Sequence, residues 1–398
     1  MADYYVSNDG SDSTGDGTAL NPWATVNKAI GSGKGVGETL AEPTTLNVEP
    51  GVYREAVTLG VTPSESAPLT IRGDVDGSAF AAGGASNPKT GVVEWLAWTD
   101  DLTAMNASAL AVSGKSHVTI EKFTIEGGSR NSSPQPGSAI DLAICSNVTI
   151  RDCTLVGCHD SSTDASVVRA TTTAGTALNL LVERCEVVCG GDTTNGIRVL
   201  APEHTEEYGL GATVANCLFR NGRDQLRVEK SSGSGSVANG VMVIGCTFLG
   251  DATSASVRAD KWSAVAASPI LVVRLCVFGH NRRSVSGEDA SYVDEDYNLF
   301  TGSGPRWNTN AGANSKIGLP RINFGSDRVA GGRLRPIAEP LEGSPALAFG
   351  PRPTGLTVDM LGRARPDPCA AGCLERAEPP GGGDSPAPTI TYLFQTEG

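Results

Sequence analysis

A cysteine recurs at a nearly constant interval through the middle of the chain, and this repeat constrains the fold more than any other feature. Six segments align, and their equivalent position holds Phe123 in the first and a cysteine in the other five. Successive intervals are 30, 32, 32, 29 and 30 residues. A period of this length predicts a solenoid, in which each repeat is one supersecondary unit stacked on the next. The five cysteines, called here the cysteine ladder, are Cys153, Cys185, Cys217, Cys246 and Cys276.

Each segment has the pattern of two short strands rather than a helix. Apolar residues alternate with a period of two on both sides of a two-residue gap, as in Ile150, Cys153 and Leu155. The gap breaks the phase, as a corner between two strands requires, and no segment carries a helical stripe. The sequence therefore predicts a coil of parallel β-strands with about 30 residues in each turn.

The ladder spacing argues against a disulfide framework. Neighbouring in-register residues on parallel strands lie about 4.8 Å apart, whereas a disulfide requires Cβ atoms that converge to about 3.8 Å. We therefore predict buried free thiols that act as small apolar side chains. A thiol metal site would lack the clustered spacing of zinc ligands. Off the ladder, disulfide pairing of Cys158 with Cys189 and of Cys369 with Cys373 stays open.

Charge and hydropathy exclude several classes of partner. The net charge is −13, which opposes binding to nucleic acid and to anionic membranes because phosphate recognition needs a basic surface. No apolar run approaches the roughly 18–20 residues of a membrane span. The polar start MADYYVSNDG lacks the pattern of a signal peptide, so we expect none in this chain.

The chain divides into four parts. Residues 1–35 are predicted to form an N-terminal cap of a strand, a turn-rich loop and a short helix, and residues 36–350 the β-helix. Residues 351–380 are predicted to be a C-terminal capping segment. Residues 381–398 read as a linker with a final docking strand. Calcium is the one cofactor considered: the cap loop carries Asp9, Asp12 and Asp16, but their spacing differs from a standard calcium loop and favours a solvated turn.

A second set of residues recurs with the period of the cysteine ladder and predicts a row of arginines that points outward. Arg198, Arg227 and Arg258 each precede a ladder cysteine by 18 or 19 residues, and alternation directs them away from the core. Guanidinium groups at this spacing repel one another unless anions lie between them. Two interpretations remain open, an alternating ladder with acidic side chains and a groove for acidic saccharide. The candidate counter-charges are Asp192, Asp224, Glu229, Asp251 and Asp260.

Sequence segments near both ends of the chain resemble the corresponding segments of the pectin-lyase-like proteins. The start YYVSNDGSDSTGDGTALNPWATVNKAI is similar to their entry cap, and VEPGVYRE to their first coil. The closing signature is similar in DYNLF, SPALAFG, Asp359-x-x-Gly362-x-x-Arg365 and Gly372-x-x-Glu375, although Cys373-Leu374 replaces the usual Ala-Tyr. Over about residues 4–378, the resemblance implies an all-β, right-handed single-stranded parallel β-helix. It does not single out a function, because this fold hosts lyases, hydrolases, epimerases, adhesins and phage tailspikes.

The resemblance also implies two kinds of catalytic site. Lyases of this fold use Lys or Arg as the base, often with calcium, and hydrolases use paired carboxylates. Lys230 and Lys261 follow Arg227 and Arg258 by three residues, which makes a basic cluster conceivable. Asp224 and Asp192 begin neighbouring strands as a conceivable carboxylate pair. The catalytic candidates are therefore Arg227, Lys230, Asp224 and Asp192.

Two functions from different classes follow. The first is a non-catalytic structural or receptor-binding protein of a virion or cell surface, which interacts with carbohydrate through Arg198, Arg227 and Arg258 and with other surface proteins through residues 381–398. Buried thiols suit its synthesis in a reducing compartment. The second is a polysaccharide lyase or glycoside hydrolase acting on acidic polysaccharide. We prefer the first, and we expect that the protein can form a homo-oligomer.

Overall fold

The computed structural model contains three parallel β-sheets that run side by side along the chain. It describes residues 1–98, 107–127, 137–157, 165–172, 178–190, 194–201, 208–230, 237–250, 255–260, 269–279, 283–301, 306–307, 309, 311–318, 344–354 and 356–375. Two short helices, α1 (Val26–Ile30) and α2 (Ser78–Ala82), lie near the N-terminus, and a 3₁₀ turn spans Ala290–Tyr292.

Twenty-nine strands make up the described part of the sheets. The first nine are β1 (Ala2–Val6), β2 (Thr44–Val48), β3 (Gly51–Arg54), β4 (Val57–Thr58), β5 (Leu69–Gly73), β6 (Val93–Leu96), β7 (Leu110–Ser113), β8 (Ser116–Glu121) and β9 (Thr124–Glu126). The central coils contain β10 (Ile140–Ala143), β11 (Ser146–Arg151), β12 (Thr154–Val156), β13 (Ser166–Thr171), β14 (Leu180–Glu183), β15 (Glu186–Val188), β16 (Asn195–Ala201), β17 (Tyr208–Ala215), β18 (Leu218–Arg220), β19 (Asp224–Lys230), β20 (Val237–Ile244) and β21 (Thr247–Leu249). The last are β22 (Ala255–Asp260), β23 (Leu271–Arg274), β24 (Val277–Phe278), β25 (Val285–Gly287), β26 (Val293–Asp296), β27 (Leu299–Phe300), β28 (Arg306–Trp307) and β29 (Lys316–Ile317).

Each complete coil contributes one strand to each sheet, which is the topology of a parallel β-helix. The first sheet has the order β1-β2-β5-β8-β11-β14-β17-β20-β23-β26, and the second runs from β3 through β6, β9 and every third strand to β27, then β29. The third sheet runs from β4 through β7, β10 and every third strand to β28. Neighbouring strands pair in parallel with the register predicted from the repeat, for example Val118 with Val148 and Ile150 with Val182. The predicted fold class is confirmed.

A left-handed backbone residue makes the corner between the first and second sheets. It directly precedes the ladder position in seven successive coils, with φ between 52° and 64°. A single left-handed residue rotates the chain into the next strand. The alternation of apolar residues is therefore interrupted at the two-residue gap seen in the sequence. The corner residues are Lys122, Asp152, Arg184, Asn216, Gly245, Leu275 and Tyr297.

The five ladder cysteines are free thiols in the core, as predicted. Each thiol donates a weak hydrogen bond to a carbonyl of the preceding strand, as Cys217 does to Ala215 O at 3.2 Å. The ladder continues for one coil beyond the cysteines. Asn298 occupies the next position, where its Oδ1 accepts from Cys276 N and its Nδ2 donates to Val273 O. The remaining described cysteines, Cys145, Cys189, Cys369 and Cys373, are also free and buried.

Four phenylalanines stack on the inner face of the second sheet, one in each of four successive coils. Their ring centroids are 4.7, 4.9 and 5.0 Å apart, and adjacent rings lie within 13° of parallel. All four are fully buried in the apolar core, which extends from Val6 to Phe300. The stacked residues are Phe219, Phe248, Phe278 and Phe300.

Helix α1 covers the first end of the core. Val26, Ala29 and Ile30 are fully buried, and Ile30 O accepts a hydrogen bond from Gly60 N of the first coil. Glu55 accepts from Val26 N and Asn27 N, so the open amides at the start of the helix are satisfied by the coil beneath it. The helix lies within the cap predicted from the sequence.

A C-terminal strap, residues 344–354 and 356–375, lies along the flank of the last coils. It covers outward apolar side chains at the corner between the first and second sheets, including Ala215, Ile244 and Leu275. A second apolar contact joins Cys373 and Leu374 to Leu218. The described part of the predicted capping segment therefore packs against the side of the β-helix.

Candidate functional site

Arginines lie in register on the third sheet. Strand pairing places Arg198 beside Arg227 and Arg227 beside Arg258, as the sequence spacing predicts. The same pairing adds Arg169, which lies beside Arg198 and was not recognised in the sequence. The four residues are called here the arginine row.

The arginine row faces away from the core, but its two central members, Arg198 and Arg227, are only slightly exposed. Ile197, Leu226 and Val257 are fully buried in the core, so alternation directs the intervening arginines outward. The side chains of Arg198 and Arg227 are nevertheless only 10% and 7% exposed. Alternation predicts the side of a sheet on which a residue lies, whereas exposure depends on what else covers that side.

Carboxylates separate the guanidinium groups. Glu229 lies between two arginines, with Oε1 2.5 Å from Arg198 Nη2 and Oε2 2.6 Å from Arg227 Nη2. Asp260 has the same relation to the next pair, at 2.8 Å from Arg227 and 3.0 Å from Arg258. At the other end Asp141 pairs with Arg169 at 3.1 Å. The geometry is the alternating Arg–acid ladder considered from the sequence.

Asp260 is held in its charged form. Burial alone would raise the pKa of this carboxyl, but the Arg258 and Arg227 guanidinium groups beside it lower the pKa below its ordinary value. The carboxylate therefore stays ionised at neutral pH and neutralises its neighbours.

Asp224 lies at the start of β19 and is fully buried. Its Oδ1 accepts from Ala255 N at 3.1 Å, and its Oδ2 is 3.8 Å from Arg258 Nη1 and 4.0 Å from Arg223 Nε. The structure thus brings Asp224 and Arg258 together. Lys230 ends β19 opposite Ala201, but its side chain is outside the described part, as are residues Asp192, Asp251 and Lys261.

The three calcium candidates in the N-terminal loop bind different partners. Asp9 pairs with Lys89 at 2.8 Å, and Asp12 accepts from Thr25 Oγ1 at 2.7 Å and from two backbone amides. Asp16 accepts from the amide and hydroxyl of Thr18. Within the described ranges, no group of three or more His, Cys, Asp or Glu side chains is arranged to hold a metal ion.

Comparisons with known proteins give weak structural likeness. No protein-family model matches the sequence, and no curated protein matches it. Among solved structures, the chain is similar to pectate lyase Pel9A, with 12% identity, coverage of 95% of this chain and 97% of that one, and a TM-score of 0.48. It is similar to XylC in complex with xylose, with 10% identity, 94% and 99% coverage and a TM-score of 0.36. It is also similar to pectin methylesterase PemA from Erwinia chrysanthemi, with 12% identity, coverage of 79% of this chain and 92% of that one, and a TM-score of 0.34.

The strand topology defines the class of protein. Three all-parallel sheets, each built from one strand of every complete coil, make the chain a right-handed parallel β-helix protein. No helix among the described residues is long and apolar enough to cross a membrane.

Proposed function

We propose that this chain is a non-catalytic β-helix protein of a virion or cell surface, with a structural or receptor-binding role, and that it binds carbohydrate on the outer face of the third sheet. The ion pairing of the arginine row carries this proposal. Arg198, Arg227 and Arg258 each have a guanidinium nitrogen within 3.0 Å of a carboxylate oxygen. Paired charges of this kind form a rigid surface of fixed donors and acceptors, which suits recognition.

The same pairing argues against proton transfer by these residues. A general base works best with a pKa near the operating pH, whereas a guanidinium stays protonated. Glu229 and Asp260 lie 2.6 and 2.8 Å from the Arg227 guanidinium, so this group is already paired with two carboxylates. Both carboxylates are themselves bound by two arginines, so neither is placed as a general acid. The described geometry therefore favours binding over catalysis.

Two other features support the proposed compartment and the proposed protein partner. All nine described cysteines are free thiols, which suits synthesis in a reducing compartment before release to a surface. Residues 381–398 contain the strand-like sequence TITYLFQ, and we propose that they dock on a neighbouring surface protein or a second copy of this chain.

The competing function is a polysaccharide lyase or glycoside hydrolase with Arg227 and Asp224 in its site. The test is incubation with acidic and neutral polysaccharides, with ultraviolet detection of unsaturated products, assay of new reducing ends and a parallel binding assay. We expect binding without product. Arg258→Ala should weaken binding about tenfold, and Arg151→Ala, on the first sheet, should not. Turnover that disappears in Arg227→Ala and persists in Arg151→Ala would contradict the proposal.

A further inference from the structure

Within the described part of the chain, carboxylates balance the charge of the arginine row. Its four guanidinium groups are matched by four carboxylates, those of Asp141, Asp224, Glu229 and Asp260. At the margin, Arg223 lies beside Asp224, with its Nε 4.0 Å from Asp224 Oδ2. A surface that attracted polyanions would need uncompensated positive charge, whereas each arginine of the row is paired with a carboxylate among the described residues.

We infer that this face selects a neutral, hydroxyl-rich saccharide over a saccharide that contains uronate. The inference rests on the proposed function and names its ligand class. A uronate carboxylate that approached Arg227 would meet Glu229 and Asp260, which already bind that guanidinium at 2.6 and 2.8 Å. Like charges at such distances repel, so the carboxylates of the row act against an anionic ligand.

Polar atoms beside the row match the chemistry of a hydroxyl group. Gln225 and Ser256 lie between paired positions of β19 and β22, on the same face as Arg227, and both are fully buried. Among the described residues, Gln225 Oε1, Ser256 Oγ and Arg227 Nε have no hydrogen-bond partner. The first accepts only and the last donates only.

A group that serves both Gln225 and Arg227 must donate and accept. A hydroxyl does both, whereas an ionised carboxylate only accepts and would leave Gln225 Oε1 unsatisfied. Because these atoms are buried, we expect an ordered water to link them to the ligand hydroxyls. The paired carboxylates therefore carry the preference for a neutral ligand, and the buried polar atoms beside the row offer sites for ordered water.

The test compares binding of neutral and uronate-containing oligosaccharides of equal length, at low and high salt, by calorimetry. We expect the neutral ligand to bind at least about tenfold more tightly, with less than about a twofold change between the two salt concentrations. Tighter binding of the uronate ligand, weakened by salt, would overturn the inference while leaving carbohydrate binding intact. Binding of neither ligand would overturn the proposed function and this inference with it.

Single isosteric variants sharpen the test. Glu229→Gln removes the carboxylate shared by Arg198 and Arg227, so uronate binding should improve about tenfold. Asp260→Asn should also improve uronate binding. It provides a second test if Glu229→Gln folds poorly. Glu183→Gln, on the first sheet, is the matched control and should leave both affinities unchanged. No gain in uronate binding from either site variant, with native thermal unfolding, would contradict the inference.

Discussion

Arg365 in the C-terminal strap donates a hydrogen bond from Nη2 to Oδ1 of Asn216, 2.8 Å away and 149 residues earlier in the chain. Asn216 is one of the left-handed corner residues. The same guanidinium pairs with Glu375 at 2.7 Å and donates to the carbonyls of Ala370 and Gly372. One fully buried side chain therefore organises the strap and joins it to the β-helix.

Loss of this guanidinium should be costly. Arg365→Met leaves Glu375 buried without its ion partner, and breaking a buried pair from one side costs about 3–5 kcal/mol. We expect the free energy of unfolding in guanidinium chloride to fall by that amount. Lys34→Met, which removes an exposed pair with Glu38, is the control and should cost less than about 1 kcal/mol. Equal losses in the two variants would refute the role assigned to Arg365.

The phenylalanine stack should contribute strongly to stability at its centre. Phe248 lies between Phe219 and Phe278 with centroid distances of 4.7 and 4.9 Å. Phe248→Ala would leave a cavity in the core and should cost about 3–5 kcal/mol. Phe248→Leu retains most of the volume and should cost about 1–2 kcal/mol. Chemical denaturation of both variants measures the difference, and a negligible effect of Phe248→Ala would argue against the stack.

The cysteines should be unreactive until the protein unfolds. All nine described cysteines are buried, and burial raises the pKa of Cys189 and Cys373 to about 12. A thiol reagent must also reach the sulfur atom, which burial prevents, so reaction requires unfolding. We expect these nine to be masked in the native protein and titratable after denaturation without reductant. Ladder cysteines that stayed unreactive after denaturation, and appeared only on reduction, would show oxidation and contradict the free-thiol assignment.

Acid should remove the contribution that Glu121 makes to the free energy of unfolding. Burial raises the pKa of this carboxyl, but hydrogen bonds from Arg72 and Arg151 outweigh it and hold the pKa below 4.5. A lowered pKa in the folded state stabilises the protein above pH 4.5, and the contribution is lost as pH falls through the folded value. The difference in free energy of unfolding between wild type and Glu121→Gln should therefore become smaller below pH 4.5. Glu65→Gln, at an exposed residue, is the control. A difference in free energy of unfolding between wild type and Glu121→Gln that grew in acid would contradict the assignment.

The repeat made most of the fold predictable. Sheet register follows from the ladder because side-chain period two fixes which residues face the core, and a slip of one residue would turn Ile150 and Leu155 to solvent. The ladder's extension to Asn298 was not predictable, because its role comes from amide hydrogen bonds rather than apolar character. The strap's position was detectable in principle: Leu218 is an outward apolar residue that needs a cover.

The candidate site was only partly predictable. Arg198, Arg227 and Arg258 were found because their distance to the next ladder cysteine is nearly constant, whereas Arg169 precedes Cys185 by only 16 residues. A shorter connection between sheets hides Arg169 from a spacing argument, although strand pairing aligns it. The pairing of Glu229 with two arginines depends on side-chain geometry across coils, which a one-dimensional pattern does not contain.

The central claim is that carboxylates neutralise the arginine row, and a double-mutant cycle between Arg227 and Asp260 tests it most directly. Their contact distance is 2.8 Å, and both side chains are nearly buried. Free energies of unfolding are measured for wild type, Arg227→Met, Asp260→Asn and the double variant. The account predicts that the double variant loses at least about 1 kcal/mol less than the sum of the single losses. Additivity within about 0.5 kcal/mol would mean that the two groups do not interact, and would contradict the account.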